Sequence, residues 1–234
     1  MSTKTSHKYS IEEIRTGCIT AHKGDPTETR LCTINAEFRN AMNIVRGIKR
    51  SVTFFGSSRT KEGTTDYLKA MNLAKRISSE IGFTIVTGGG PGIMAAANRG
   101  AFETGGESVG FTIKLPMEQT TNLFLTKEAS FYYFFTRKVA LSFAADAYVV
   151  FPGGFGTLDE MTEILTLIQS KKIERVPIVL VGVEFWTPLF NFFRDKLLDS
   201  RQAILLGDLD LFTLTDTEDE IIEIIKNSPQ RVRD

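Results

Sequence analysis

The stretch Pro152-Gly153-Gly154-Phe155-Gly156-Thr157-Leu158-Asp159-Glu160 has the residue types of a phosphate cradle joined to an acid group. It follows the apolar run Ala147 to Phe151 and opens a helical pattern, so it reads as strand, glycine turn and helix start. Three glycines in four positions let backbone amides converge on an anion. The helix behind them adds unpaired N–H groups and the positive end of its dipole. Asp159, Glu160 and Glu163 then sit just inside that helix, where carboxylates would repel a phosphate unless they face another part of the ligand. The loop is therefore expected to hold a phosphate at one end and to present acids to the chemistry at the other. The plainer alternative is a glycine turn followed by acids that favour a helix's first turn.

A second glycine turn, Gly88-Gly89-Gly90-Pro91-Gly92-Ile93-Met94, also enters a helix, and a third loop, Gly56-Ser57-Ser58-Arg59, ends the first core strand. Neither glycine-rich loop is a G-x-G-x-x-G fingerprint or ends in G-K-[ST], which favours a mononucleotide over a dinucleotide or a nucleoside triphosphate. In Phe131-Tyr132-Tyr133-Phe134-Phe135-Thr136-Arg137-Lys138, five aromatics precede a basic pair on an expected helix. The aromatics suggest a buried face or a subunit contact, hence a homodimer or larger homo-oligomer. Arg137 would then stand near the ligand, the alternative being a solvated helix charge.

These loops need a frame. Ser51 to Phe55, Phe83 to Val86, Ser108 to Leu115, Ala147 to Phe151 and Pro177 to Val181 read as strands, with Leu211 to Leu214 as a last short one. Helical patterns lie between them, including Asp66 to Ile81, Phe185 to Leu198 and Glu218 to Lys226. That alternation predicts an α/β fold, a doubly wound, mainly parallel sheet with helices on both faces. Ligands in such sheets bind beyond the carboxyl ends of the strands, where the strand order reverses.

Asp25-Pro26-Thr27-Glu28 signals a helix start, with Leu31, Ile34, Phe38, Met42, Val45 and Ile48 as its apolar spine. Residues 1–48 are thus expected to be an arm and an N-terminal helical extension, and 49–234 a single Rossmann-like domain.

The chain has 234 residues, 42% of them hydrophobic, which suffices for one substantial core. Lys+Arg and Asp+Glu balance at 28 each, so no net field draws it to nucleic acid or an acidic membrane. No apolar leader or membrane span is visible, and the expected location is the cytoplasm. Two cysteines, Cys18 and Cys32, with two histidines give no zinc pattern and are expected to be reduced thiols. No metal and no cofactor is expected.

Taken in this order and spacing, the Gly88 to Met94 turn, the Arg137-Lys138 pair and the Pro152 to Glu160 loop resemble the LOG (Lonely Guy) family. Its members are nucleoside 5'-monophosphate phosphoribohydrolases that release cytokinin bases, and many sequences in it carry a lysine decarboxylase label. The resemblance covers about residues 50 to 200. It implies hydrolysis of the N-glycosidic bond of an AMP-like ligand, with Arg137 and Glu160 as catalytic residues.

The substrate contacts it implies are Lys138, the run Gly154, Phe155, Gly156, Thr157, Leu158 and Asp159, then Thr166 two turns into the helix, and Glu118. Ser57, Gly89, Gly90, Gly92, Gly153 and Glu163 complete the expected binding set from the loops themselves. Many members have histidine two residues before the arginine, where this chain has Phe135, so it falls in a longer, divergent branch. A decarboxylase would need a Schiff-base lysine and a pyridinium partner, and neither is identifiable. A non-catalytic carrier of a nucleotide or phosphate-containing cofactor is the alternative function on the same fold.

Overall fold

The computed structural model describes residues 26–115 and 120–232. In chain order the elements are α1 (Pro26–Arg46), β1 (Ser51–Phe55), α2 (Thr65–Ile81), β2 (Thr84–Thr87), α3 (Ile93–Glu103) and β3 (Ser108–Ile113). There follow β4 (Lys127–Phe131), α4 (Phe134–Ala144), β5 (Ala147–Val150), α5 (Phe155–Gln169), β6 (Ile178–Leu180) and α6 (Val183–Phe192). A π-helical stretch (Phe193–Ser200), a 3-10 turn (Leu206–Leu211), β7 (Thr213–Leu214) and α7 (Glu218–Lys226) close the chain.

The seven strands form one sheet in the order β4-β3-β2-β1-β5-β6-β7, and every adjacent pair is parallel. Strands β1, β2, β3, β5 and β6 are buried along their whole length, as expected of a parallel sheet covered on both faces. Side-chain alternation sends Phe54, Ile85, Val149 and Val179 into a core with α2, α3 and α7, and Phe55, Val86, Val150 and Leu180 into a core with α1, α4, α5 and α6. This is the expected doubly wound α/β, Rossmann-like fold. The strand order reverses between β1 and β5, so the loops leaving those two strands flank the switch point.

Five sequence expectations need correction. Strand β4 was not anticipated, because it begins Lys127-Glu128 and buries only Ala129 and Phe131. Such an edge strand has no continuous apolar run to betray it. Phe131 is consequently the last residue of β4 and is buried, Tyr132 and Tyr133 form a link, and α4 starts at Phe134. The five aromatics therefore do not share one helix, and Tyr132, Phe134 and Phe135 are more than half exposed, at 57%, 55% and 51%.

Helix α1 begins at Pro26 as its start signal indicates, but its buried residues are Thr33, Ala36, Glu37, Ala41 and Val45. Leu31, the first residue of the expected spine, is 48% exposed. The face is selected by what α4 offers it, described below, rather than by apolarity alone. Cys32 on this helix is disulfide-bonded, not the expected reduced thiol. The C-terminal helical pattern starts earlier than expected, at Val183, and passes from α-helix into π-helix at Phe193.

Candidate functional site

The three glycine-bearing loops are laced together by main-chain bonds. Ser57 N donates to Pro152 O at 3.0 Å, and Ile93 N donates to Ser57 O at 3.0 Å. The second contact depends on Gly92, which has φ +69, and on which a Cβ would lie 2.2 Å from Ser57 O. Between these loops lies a cleft of about 430 Å³. A larger hollow of about 540 Å³ lies at the far end of α5, against Lys171, Lys172 and Arg175. It holds none of the glycine turns and neither Arg137 nor Glu160, all of which belong to the smaller cleft or its rim.

Helix α5 starts with Gly154 at its N-cap and no side-chain cap, which leaves its first amides facing the cleft. Gly154, Phe155, Gly156, Thr157, Asp159 and Glu160 all line it, together with Ser57 and Arg137. Phe155 stands at the mouth, 92% exposed.

Arg137 and Glu160 face each other across the cleft. Arg137 Nε donates to Phe111 O at 2.7 Å, and its Nη1 is 3.7 Å from Glu160 Oε1. Both side chains are largely buried, at 11% and 13% exposed. The guanidinium passes directly over Gly88, where a Cβ would fall 2.1 Å from Nη2, so only glycine leaves it room.

Burial pushes the Glu160 carboxyl up to about 7, and the opposing pull of Arg137 and Lys138 is too weak to restore its ordinary value. Burial also lowers the Arg137 guanidinium, against the raising effect of Glu160. Arginine starts so high that it stays cationic at neutral pH. An acid near half ionisation beside a fixed cation can accept a proton from water and can stabilise a neighbouring positive centre.

The remaining expected site residues fall into three groups. Lys138 turns away from the cleft and bridges helices α4 and α5, its Nζ 2.9 Å from Asp159 Oδ1 and 3.3 Å from Glu163 Oε2. Burial alone would lower its pKa, yet the Asp159 hydrogen bond and the Glu163 charge outweigh that and raise it. Glu163, expected to work beside Glu160, is thus committed to Lys138, although its Oε2 makes an ion pair without a hydrogen bond.

In the second group, Gly89 and Gly90 line a small adjoining hollow with Thr112. Gly92, Gly153 and Leu158 shape or support the turns without lining the cleft. Thr166 is exposed and donates to Thr162 O at 2.8 Å. Glu118, alone in the third group, lies outside the described residues.

Sequence reasoning missed part of the wall: Met94, Ile113, Leu115 and Phe134 supply its apolar side, and Arg59 supplies a second cation. Arg59 and Met94 could have been found, since each belongs to a loop or turn already marked as a candidate. Phe134 could not, because its role follows from the unexpected break between β4 and α4.

A Rossmann-like α/β protein with a cleft at its switch point is the class this geometry defines. Within that class, the family model described as "Possible lysine decarboxylase" matches residues 94–225, and the chain belongs to this family, the LOG family of the sequence resemblance. Among its relatives is the probable cytokinin riboside 5'-monophosphate phosphoribohydrolase LOGL5 of Oryza sativa subsp. japonica, 30% identical over 151 residues. That match covers 63% of this chain and 60% of the rice protein. The cytokinin riboside 5'-monophosphate phosphoribohydrolase LOG7 of Arabidopsis thaliana is 28% identical over 152 residues, 64% of this chain and 69% of that one.

Solved structures share the fold. The molybdenum cofactor carrier protein of Chlamydomonas reinhardtii aligns with a TM-score of 0.56 at 23% identity, over 76% of this chain and 96% of its own. The molybdenum cofactor binding protein of Rippkaea orientalis aligns at 0.55 and 18%, over the same shares. Among the described residues no helix is long and apolar enough to cross a membrane, and no group of three or more His, Cys, Asp or Glu could hold a metal ion.

Proposed function

We propose that the chain hydrolyses the N-glycosidic bond of a purine nucleoside 5'-monophosphate, possessing the activity that its rice and Arabidopsis relatives are named for. The observation that carries this reading is the Arg137 to Glu160 pair, 3.7 Å apart and largely buried, facing the cleft that the uncapped start of α5 also faces. The terminal phosphate binds the amides of Gly154 to Thr157 and the dipole of α5. The base lies toward the apolar wall of Met94, Ile113, Leu115 and Phe134, which suits adenine and would accept an apolar N6 substituent.

The sugar is then held between them, beside Glu160. As the bond from C1' to the base nitrogen breaks, the electron pair leaves with the base and positive charge develops on the ribose. The Glu160 carboxylate stabilises that charge and takes a proton from the attacking water, whose oxygen becomes the new hydroxyl of ribose 5-phosphate. The proton that the departing base needs comes from solvent or from Glu160 in the next step. Arg137 orients the carboxylate through its own anchor on Phe111 O. The same exposed aromatics, Tyr132, Phe134 and Phe135, support assembly as a homodimer.

Carriers of the same fold make the second reading, and the raised acid of Glu160 argues against it, because simple retention of an anionic ligand gains nothing from a buried carboxylate. Incubation of the purified protein with AMP and N6-substituted AMP, followed by chromatography, separates the two. Free base and ribose 5-phosphate are expected; tight binding with no base release from any 5'-monophosphate would replace the hydrolase by the carrier.

A further inference from the structure

Helix α4 carries Arg137 but has no means of its own to finish its start. Its N-cap is Tyr133, with no side-chain cap bond, and its first turn contains no acidic residue. A helix start without a cap leaves amides unpaired and the positive dipole end uncompensated. A carboxylate reaches this end of the helix from α1, 95 residues upstream of Tyr132, and ties the residue before the N-cap to the first turn. Glu37, only 2% exposed, accepts from Tyr132 N at 2.7 Å through one carboxylate oxygen and from Thr136 Oγ1 at 2.6 Å through the other. Thr136 is fully buried, and its one hydroxyl proton is shared between Glu37 and Tyr133 O, 2.8 Å away, so the hydroxyl joins the start of the helix to Glu37.

We infer that Glu37 is a positioning residue for Arg137, fixing the first turn of α4 so that the guanidinium reaches both Phe111 O and Glu160. Arg137 follows Thr136 directly, and its amide makes one of the first helical bonds of α4, to Tyr133 O at 3.3 Å. Both residues that hold Glu37 therefore lie within five positions of the guanidinium they orient. The N-terminal helix, which has no residue in the cleft, is by this route part of the site. This also explains why α1 buries a glutamate while leaving Leu31 half exposed. The inference rests on the proposed function only for its kinetic consequence, since the placement of Arg137 can be observed without turnover.

The test compares Glu37→Ala and Thr136→Val, which cut the contact from either side, with Glu37→Gln, which keeps an oxygen for Tyr132 N and an amide that can donate to Thr136 Oγ1. Glu37→Ala and Thr136→Val should each lower kcat/KM for AMP about tenfold or more, as misplacement of a site group by a fraction of an ångström does. Glu37→Gln should stay within about threefold of the parent. In an Arg137→Ala background Glu37→Ala should add less than about twofold, because the group it positions is gone.

The second readout is the Arg137 Nε–Hε resonance in NMR, whose proton is expected to exchange slowly in the parent and in Glu37→Gln, and quickly in Glu37→Ala. Glu37→Asp, shorter by one methylene, takes the place of Glu37→Ala if the latter does not fold. A folded Glu37→Ala with parental turnover, or one whose loss persists undiminished in the Arg137→Ala background, overturns the inference. Should the parent release no base, the hydrolase reading fails separately, and the exchange of Arg137 Hε alone decides: unchanged exchange in Glu37→Ala overturns the positioning role.

Discussion

Replacing Glu160 by Gln keeps the shape of the side chain and removes its charge, and the structure makes opposite forecasts for function and for stability. If, as proposed, the carboxylate acts mainly on the developing ribose cation, kcat should fall ~10²-fold or more, equivalent to about 2.7 kcal/mol, while affinity for AMP changes less than about tenfold. In stability, the wild-type carboxyl titrates at about 7 rather than at its ordinary 4.5, chiefly because it is buried. At about 1.36 kcal/mol per pKa unit, holding it ionised in the fold costs up to about 3 kcal/mol.

The sign follows from proton binding. Between 4.5 and about 7 the folded protein binds more protons at this group than the unfolded chain, so stability is greatest below that window and falls as pH rises through it. Glu160→Gln lacks this fall. Relative to wild type, it should therefore gain up to about 3 kcal/mol between pH 4.5 and pH 8, or roughly 6–12 °C in Tm for a chain of this size. The attraction of Arg137 for the carboxylate is already contained in that titration, while any difference in packing between the two side chains shifts both ends alike, which is why the slope and not the absolute value is the measure.

Thermal melts of both proteins across that pH range, run beside calorimetric AMP titration and the base-release assay, complete the experiment. Near-normal turnover in Glu160→Gln would end the catalytic assignment, and parallel stability profiles would show that the carboxyl is not the perturbed group described here. The wild-type kcat/KM profile should itself rise with pH through about 7, because the working form is the carboxylate.

Further outcomes are expected from the same geometry. Arg137→Ala should lower both AMP affinity and turnover, each by about tenfold or more in titration and rate assays, since the cation acts on ground state and transition state alike. Gly88→Ala, which would put a methyl 2.1 Å from Arg137 Nη2, should displace the guanidinium and reproduce much of that defect in the same assays. Adenosine should be a poor substrate beside AMP, as the α5 amides lose charge-assisted bonds of roughly 1.5 to 3 kcal/mol each; comparable turnover would remove the phosphate role from this loop. Light scattering should give at least twice the 26.1 kDa chain mass at micromolar concentration, and a monomer mass would leave Tyr132, Phe134 and Phe135 without the assigned contact.

The sequence by itself determined the parts of this protein whose physics is local. Short, β-branched and aromatic-rich apolar runs that end in turn residues read as buried strands, and their alternation with helical periods indicates a doubly wound sheet. The Gly-rich turn after β5, the acid at Glu160 and the basic pair at Arg137-Lys138 were legible for the same reason, since each signal lies within one loop or one helix turn. Tertiary structure decided what depends on neighbours distant in the chain. Strand β4 exists because β3 offers it an edge to pair with, not because its own residues demand a strand. Lys138 and Glu163, alike in type to Arg137 and Glu160, leave the cleft because they find each other across two helices first. Gly88 is required by a guanidinium 49 positions away, and the buried face of α1 is chosen by an uncapped helix that no reading of α1 alone could reveal. Charges and hydrogen-bonding groups act over a few ångströms in space whatever their separation in sequence, so their final partners are fixed only when the chain has folded.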